Sequence, residues 1–565
     1  MKSLLLSLTF LLLFSLPAIS QSFESAMELY RSEQFIEAAE LFRQIDEDRA
    51  ELYAGKSYLA LTDYSNALSY LENAVESDLQ TIRQEAMYTQ ALVHFGLKNF
   101  DQSLALLFNL MNSDNRTGLR GESERFYRSI LRYLSHHQRF ELLYKLQSGE
   151  IRFDLVRASK TFLDPPSYRM MVRELAKLNG VPLESPDIQN ELLTGSDSLQ
   201  NMPFQYPAPP EGTVYNVGVI LPTFDEGDPD FTIPRNLYLG MTMAAEDFNT
   251  RNPDKKVRLI FRNSSVDADT AAHKLSELIW TEKIDAVVGP LFSEPAKSMA
   301  AVAEQYQTLM LAPLANSDSL NLDYNYTFQL NPTFEVHGRT MAQFAVNQLR
   351  LDTLAIITDE RSMGRSAALA FRHQAEELGA HISYYIEEDF AATGYDFGEI
   401  TEVFTPDTTL IDSLNYLPSD AIYAPFSGQA AGTMVNLLMN NLEAMRSDVA
   451  ILGSEEWEQA DLSENQLELF DIYYSRASRT PGSGEQIQRF NEEYQSRFGT
   501  DPDRFSMIGY DAADMLFRRL NSAGNPVYAR HAVRNGGEYE GFIFRAIFDG
   551  KRVNQHVFIR KREQS

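Results

Sequence analysis

At 565 residues the chain is long enough for more than one domain, and 44% hydrophobic with 11% aromatic residues excludes a disordered polypeptide. A formal charge of −29, with no dense Lys/Arg cluster, argues against a nucleic-acid or anionic-lipid surface. There is no cysteine, which excludes disulfides and any lipid anchor built on a cysteine at the mature N-terminus.

Residues 1–20 read as a secretory signal peptide. Lys2 precedes an apolar run from Leu4 to Leu16, Pro17 breaks it, and Ala18-Ile19-Ser20 forms a small-x-small cleavage site before Gln21. That run is short for a bilayer span, and no later stretch is a second candidate. The expectation is an exported protein, periplasmic or secreted, cleaved after about Ser20, with no transmembrane segment.

Residues 21–180 are expected to form a helical, repetitive domain. Gly55 and Tyr58 on one predicted helix are followed by Ala67, Leu71 and Ala74 on the next, a small-and-aromatic face opposite a small-large-small face. Upstream the pattern recurs as Ala26, Leu29, Ala38, Phe42 and Ile45, and downstream as Ala91, His94, Ser103, Leu107 and Leu110. These offsets resemble tetratricopeptide repeats, which stack helix pairs and leave a concave face free for a protein partner; the lesser alternative is that the array only braces the next domain. His136-His137 points to no metal site, because adjacent helical residues diverge by about 100° and no ligand spacing completes the set. Residues 181–212, with Pro182, Pro186, Pro203, Pro207, Pro209 and Pro210, read as a linker.

From Thr213 onward strands and helices alternate. Strands are expected at 217–222, 257–261, 286–288 and 309–313, with helices at 237–248 and 271–280. A second set follows, with strands at 353–358, 381–386, 421–423 and 449–453 and a helix at 366–378. Two consecutive alternating sets predict two doubly wound parallel sheets, hence two lobes with a cleft between them. The most informative stretch is Asp285 to Ala296: a three-residue apolar strand, the breaker Gly289-Pro290, then Ser293 where a helix N-cap belongs. Ser293 either caps the helix or presents its hydroxyl, with free N–H groups, to a small anion.

Gly218-Val219-Ile220-Leu221-Pro222, Val287-Val288-Gly289-Pro290, Ala312-Pro313, Gly453-Ser454-Glu455 and Gly509-Tyr510-Asp511-Ala512 together resemble the type I periplasmic binding proteins of the branched-chain amino-acid class, over essentially all of 213–562. That resemblance implies three crossovers, near Asn331-Pro332, Tyr474-Ser475 and Gly537. Lobe one would then be 213–331 with 476–537, and lobe two 332–475 with 538–565. It also implies a small zwitterionic ligand: Ser293, Asn316 and Ser317 at its carboxylate, Glu455 at its ammonium, and Met363, Phe426 or Ser427 and Trp457 around its side chain. Met363 stands where the family usually has an aromatic residue. With no His-Glu-x-x-His, no Gly-x-Ser-x-Gly and no phosphate loop, neither a catalytic set, a metal site nor a cofactor is expected. Capture of an amino-acid-like solute for an ABC transporter or sensor is the first reading. The order of helical repeats before this fold also resembles the lipoprotein activators of penicillin-binding proteins, so a non-enzymatic envelope regulator that drives a peptidoglycan synthase by contact is the alternative.

Overall fold

A computed structural model describes residues 23–113, 118–193, 208–405 and 418–563. The expected signal peptide and residues 194–207 of the expected linker lie outside the described residues.

From 23 to 193 the regular structure is helical, beginning with 23–31 paired to Phe35–Phe42, Asp48–Ala60 to Tyr64–Val75, and Gln80–Gly96 to Phe100–Asn112. Each of these three pairs turns in the same way. Glu33, Thr62 and Lys98 take the left-handed conformation, with φ of 62°, 58° and 62°. The next residue of each donates its N–H five positions back, Gln34 to Leu29, Asp63 to Tyr58 and Asn99 to His94, at 2.9, 2.9 and 2.8 Å. This closes the first helix of each pair with a Schellman-type bond. The small positions do what their size allows: a Cβ added to Gly55 would lie 2.6 Å from Leu71 Cγ, so that helix pair approaches as closely as side chains permit. Five further helices follow, ending with Pro186–Leu193. That last helix falls inside the stretch expected to be a linker, and its Ile188 is fully buried.

The remainder forms two large sheets and a two-stranded antiparallel hairpin, Tyr539–Glu540 with Arg545–Ala546. The first has the order β2-β1-β3-β4-β5, all parallel, from β1 (Thr213–Leu221), β2 (Lys255–Asn263), β3 (Ala286–Val288), β4 (Leu309–Ala312) and β5 (Thr327–Gln329). The second has six strands, from β6 (Thr353–Asp359), β7 (His381–Glu388), β8 (Ala421–Ala424), β9 (Ala450–Gly453), β10 (Ile472–Arg476) and an antiparallel final strand, Phe558–Lys561. Central strands buried on both faces read as unbroken apolar runs, which is why these positions were legible in the sequence. Helices Thr232–Arg251 and Arg504–Ala523 cross at reciprocal glycines: a Cβ on Gly240 would overlap the Ser506 carbonyl, and one on Gly509 that of Leu237.

The chain passes between lobes three times. The first passage follows β5, near Asn331, and the second follows β10, near Ser475. The third does not fall at Gly537. Tyr539, Ile543, Phe544, Ala546 and Phe548 are buried in the core of the first lobe, and Asp511 accepts the N–H groups of Phe542, Ile543 and Phe544 at 2.8–3.0 Å. The crossing comes at Asn554, a fully buried amide that donates to Leu330 and Arg545 carbonyls and accepts from the Ile547 and His556 N–H groups. The buried hairpin delays the passage.

The helical domain and the first lobe share one continuous hydrophobic core. They meet at the amino edge of the first sheet. Asp285, the residue before β3, is enclosed together with Lys98 and Tyr133 of the helical domain. Lys98 Nζ lies 2.8 Å from Asp285 Oδ2 and also meets the Tyr133 hydroxyl, which donates to Oδ1 at 3.0 Å; the Asn216 N–H donates to Oδ2 at 2.9 Å. Burial pulls the lysine down and pushes the tyrosine up, and the carboxylate between them satisfies both. Beside this triad Lys283 pairs with Glu141, and His137 meets Trp280 edge-on at 4.4 Å.

Candidate functional site

In a parallel sheet all strand ends of one sense lie on one edge, and ligand loops gather at the carboxyl edge. Here the carboxyl edges of the two sheets face each other. Asp318, after β4, accepts the Glu335 N–H at 3.2 Å and the hydroxyl of Ser366, which lies in the first turn of the helix after β6. Arg504, opening helix Arg504–Ala523 of the first lobe, forms an ion pair of 2.7 Å with Glu455, the residue after β9 and Ser454.

On the first lobe Ser293 and Asn316 follow β3 and β4 and are half-buried. Ser293 is not the N-cap: Phe292 takes that position with φ −97° and ψ 151°, and Ser293 is the first helical residue. Phe292 has no side-chain acceptor, so this helix starts with no side-chain cap; its first turn offers the Ser293 and Glu294 N–H groups, Pro295 having none. Ser317 is turned into its own loop, 3.1 Å from Ser319 Oγ, while its carbonyl accepts from Gln329.

The second lobe departs from expectation at two positions. Phe426 is completely buried, edge-on to Phe390 and Phe397 in the lobe core. Trp457 is completely buried as well; its Nε1 donates to the Ala424 carbonyl at 2.8 Å and its ring covers Gly453. Both are core residues that fix the turns rather than line the cleft. Met363 is exposed, and Ser427 Oγ accepts the Gly364 N–H at 3.0 Å, tying the β8 turn to the helix after β6. Ser454 Oγ donates to the Phe426 carbonyl, so Glu455 projects from a turn pinned on both sides.

Three residues of this region were missed: Asp318, His337 and Arg504. His337 Nδ1 lies 2.9 Å from Ser475 Oγ, and burial lowers its pKa to about 4 against the opposing pull of Glu455 and Asp318, leaving a neutral imidazole at the cleft floor at neutral pH. Their signal was weak, since each matters through a partner distant in sequence. In a cavity of about 1080 Å³ elsewhere on the first lobe, lined among others by Asp247, Arg251, Phe490, Tyr510 and Phe542, Tyr510 donates to Asp247 and Arg251 pairs with Asp514. Among the described residues no cluster of three or more His, Asp or Glu is arranged to hold a metal, and no helix is long and apolar enough to cross a membrane.

Two parallel-dominated sheets joined by three passages, with facing carboxyl edges, define a two-lobed binding protein of type I. The family model for periplasmic binding proteins matches residues 216–561, and the chain belongs to that family. Its fold is shared with a putative branched-chain amino acid ABC transporter protein from Rhodospirillum rubrum, at 18% identity and a TM-score of 0.50 over 61% of this chain and 96% of that one. It is also similar to an ABC transporter substrate-binding protein of Desulfitobacterium hafniense in complex with Leu, at 19% identity and TM-score 0.45, over 62% and 98%. The isoleucine-bound substrate-binding protein LivJ of Streptococcus pneumoniae matches at 19% and 0.42, over 62% and 97%. No curated protein matches the chain.

Proposed function

We propose that this is an exported, non-enzymatic solute-binding protein whose interlobe cleft captures a small carboxylate-bearing solute of the amino-acid kind, for transport or sensing. The observation that carries the reading is the pair of facing carboxyl edges, with the uncapped helix start at Ser293 on one side and Glu455 on the other. Ser293 and the adjacent N–H groups are assigned to the carboxylate, with Asn316 as a further donor. Ser317, Met363 and Ser427 stay as secondary candidates at the rim, and Phe426 and Trp457 are withdrawn. The tetratricopeptide-like repeats are assigned the partner-docking role, carried as a rigid extension of the first lobe.

The test is a thermal-shift screen of the full chain against amino acids and related small acids. A ligand at 100 times its Kd should stabilise by about 2.7 kcal/mol. Ser293→Ala should abolish the shift, and a shift that survives that change would remove the site from the cleft. The contact-regulator reading gains support from one observation, that Glu455 already has a cationic partner in Arg504. Under it no solute shifts the melting curve, and crosslinking through the repeats recovers a peptidoglycan synthase.

A further inference from the structure

Glu455 is the position that the family resemblance gives to a ligand's ammonium group, and here a guanidinium from the opposite lobe occupies it. The backbone at both ends of the pair is held, and the Arg504 and Glu455 side chains themselves are 42% and 34% exposed. Glu455 sits on the turn fixed by Ser454 and Trp457. Arg504 begins a helix whose cap, Asp503, accepts the Ser506 N–H at 2.9 Å and is itself bound by Asn236 of the neighbouring helix at 2.9 Å. Glu456, the next residue, is a second carboxylate beside Glu455, but it is exposed. Asp318 is already bonded to Glu335 and Ser366, and His337 is neutral. The pair joins the two lobes, so a closed cleft can keep it intact.

We propose that Arg504 determines specificity by standing in for the ligand's ammonium, so that the cleft selects small carboxylic acids with hydrogen, hydroxyl or keto oxygen beside the carboxylate in place of an amine. An incoming ammonium would have to share one carboxylate with a guanidinium or evict it, so it gains less there than it would from an unpaired carboxylate. An acid without the amine meets no such competition. The guanidinium, with five N–H donors, has donors left over for an oxygen of that ligand. The inference rests on the cleft reading above and narrows its ligand class.

The experiment is calorimetric titration of the full chain and of Arg504→Gln with four matched pairs: propanoate and alanine, isocaproate and leucine, glutarate and glutamate, hydrocinnamate and phenylalanine. For the pair that fits the cleft, the wild type should bind the acid at least about tenfold tighter than the amino acid, and Arg504→Gln should reverse the order by freeing Glu455. Glu455→Gln is the second variant, should the first fold poorly: it leaves no carboxylate for an ammonium while Arg504 stays, so the amino acid of the pair should gain no binding, and a gain would overturn the role of Arg504. Amino acids bound as tightly as acids, with a ratio that Arg504→Gln leaves unmoved, would overturn the role of Arg504 while the cleft reading stands. Binding of none of the eight compounds by a folded wild type or variant would overturn both.

Discussion

Replacing Lys98 with methionine isolates what holds the helical domain to the first lobe. Methionine keeps most of the side-chain length and removes the ammonium, leaving the Asp285 carboxylate, 4% exposed, with only the Tyr133 hydroxyl and Asn216 N–H. Removing one member of a buried pair costs about 3–5 kcal/mol, because the charge left behind has neither water nor counter-ion. That is a large share of the roughly 5–15 kcal/mol that stabilises a domain. The chain's two tryptophans separate the regions: Trp280 meets His137 at the junction, and Trp457 is enclosed in the second lobe. In a Trp457→Phe background, urea unfolding followed at Trp280 should show the full loss, whereas Trp457 fluorescence in a Trp280→Phe background should move little. Adding Asp285→Asn to Lys98→Met removes both charges and should recover about 2 kcal/mol or more of the loss. A Lys98→Met protein within about 1 kcal/mol of its parent, or a double variant no better than the single, would refute the claim that this pair secures the junction.

Two buried groups give opposing pH dependences. His337, lowered to about 4 from 6.5, contributes stability that is full above 6.5 and lost as pH falls through about 4, up to about 3 kcal/mol. Asp511 is raised by burial from 3.8 to about 6 despite its three N–H donors, so its contribution is full below 3.8 and lost as pH rises through about 6, also up to about 3 kcal/mol. His337→Gln should therefore leave a protein whose stability rises on acidification from neutrality to about pH 5, and Asp511→Asn one whose stability falls; identical slopes in the two variants would contradict both assignments. Gly240→Ala should destabilise the first lobe by about 1–3 kcal/mol or more, since the new methyl meets a backbone carbonyl that cannot rotate away, and a neutral result in urea would mean that the two helices can slide apart.

The parts legible in the sequence were those whose cause is local. Strands β1, β3, β4, β6, β8 and β9 are apolar runs bounded by breakers, and Gly55, Ala67 and Leu71 announce a close helix pair by size alone. The parts that failed depend on contacts between distant segments. Nothing local says that the hairpin around Ile543 returns to the first lobe, because its anchor is Asp511 on another helix. Phe426 and Trp457 sit in turns where the expected lining residues belong, and only the packing of Phe390 and Gly453 against them shows that they face inward. Lys98 was one unremarkable residue of a turn, while its repeat-mates Glu33 and Thr62 at the same left-handed position reach no second domain.

That use of a repeat turn bears on how the two halves can work together. The helical domain grips the first sheet at the amino ends of β1 and β3, and the candidate cleft lies at the carboxyl ends of the same sheet. The repeats therefore do not reach the candidate cleft through Asp285 itself, but they share a core with the lobe that carries Ser293 and Asn316. Hinge motion about the three passages would leave the helical domain and the first lobe as one body and move the second lobe against it. A partner seated on the repeats alone would see no change on closure; one that also touches the second lobe would. Ligand-dependent binding of any protein captured through the repeats should thus vanish when the second-lobe surface is altered, while the ligand-independent part survives.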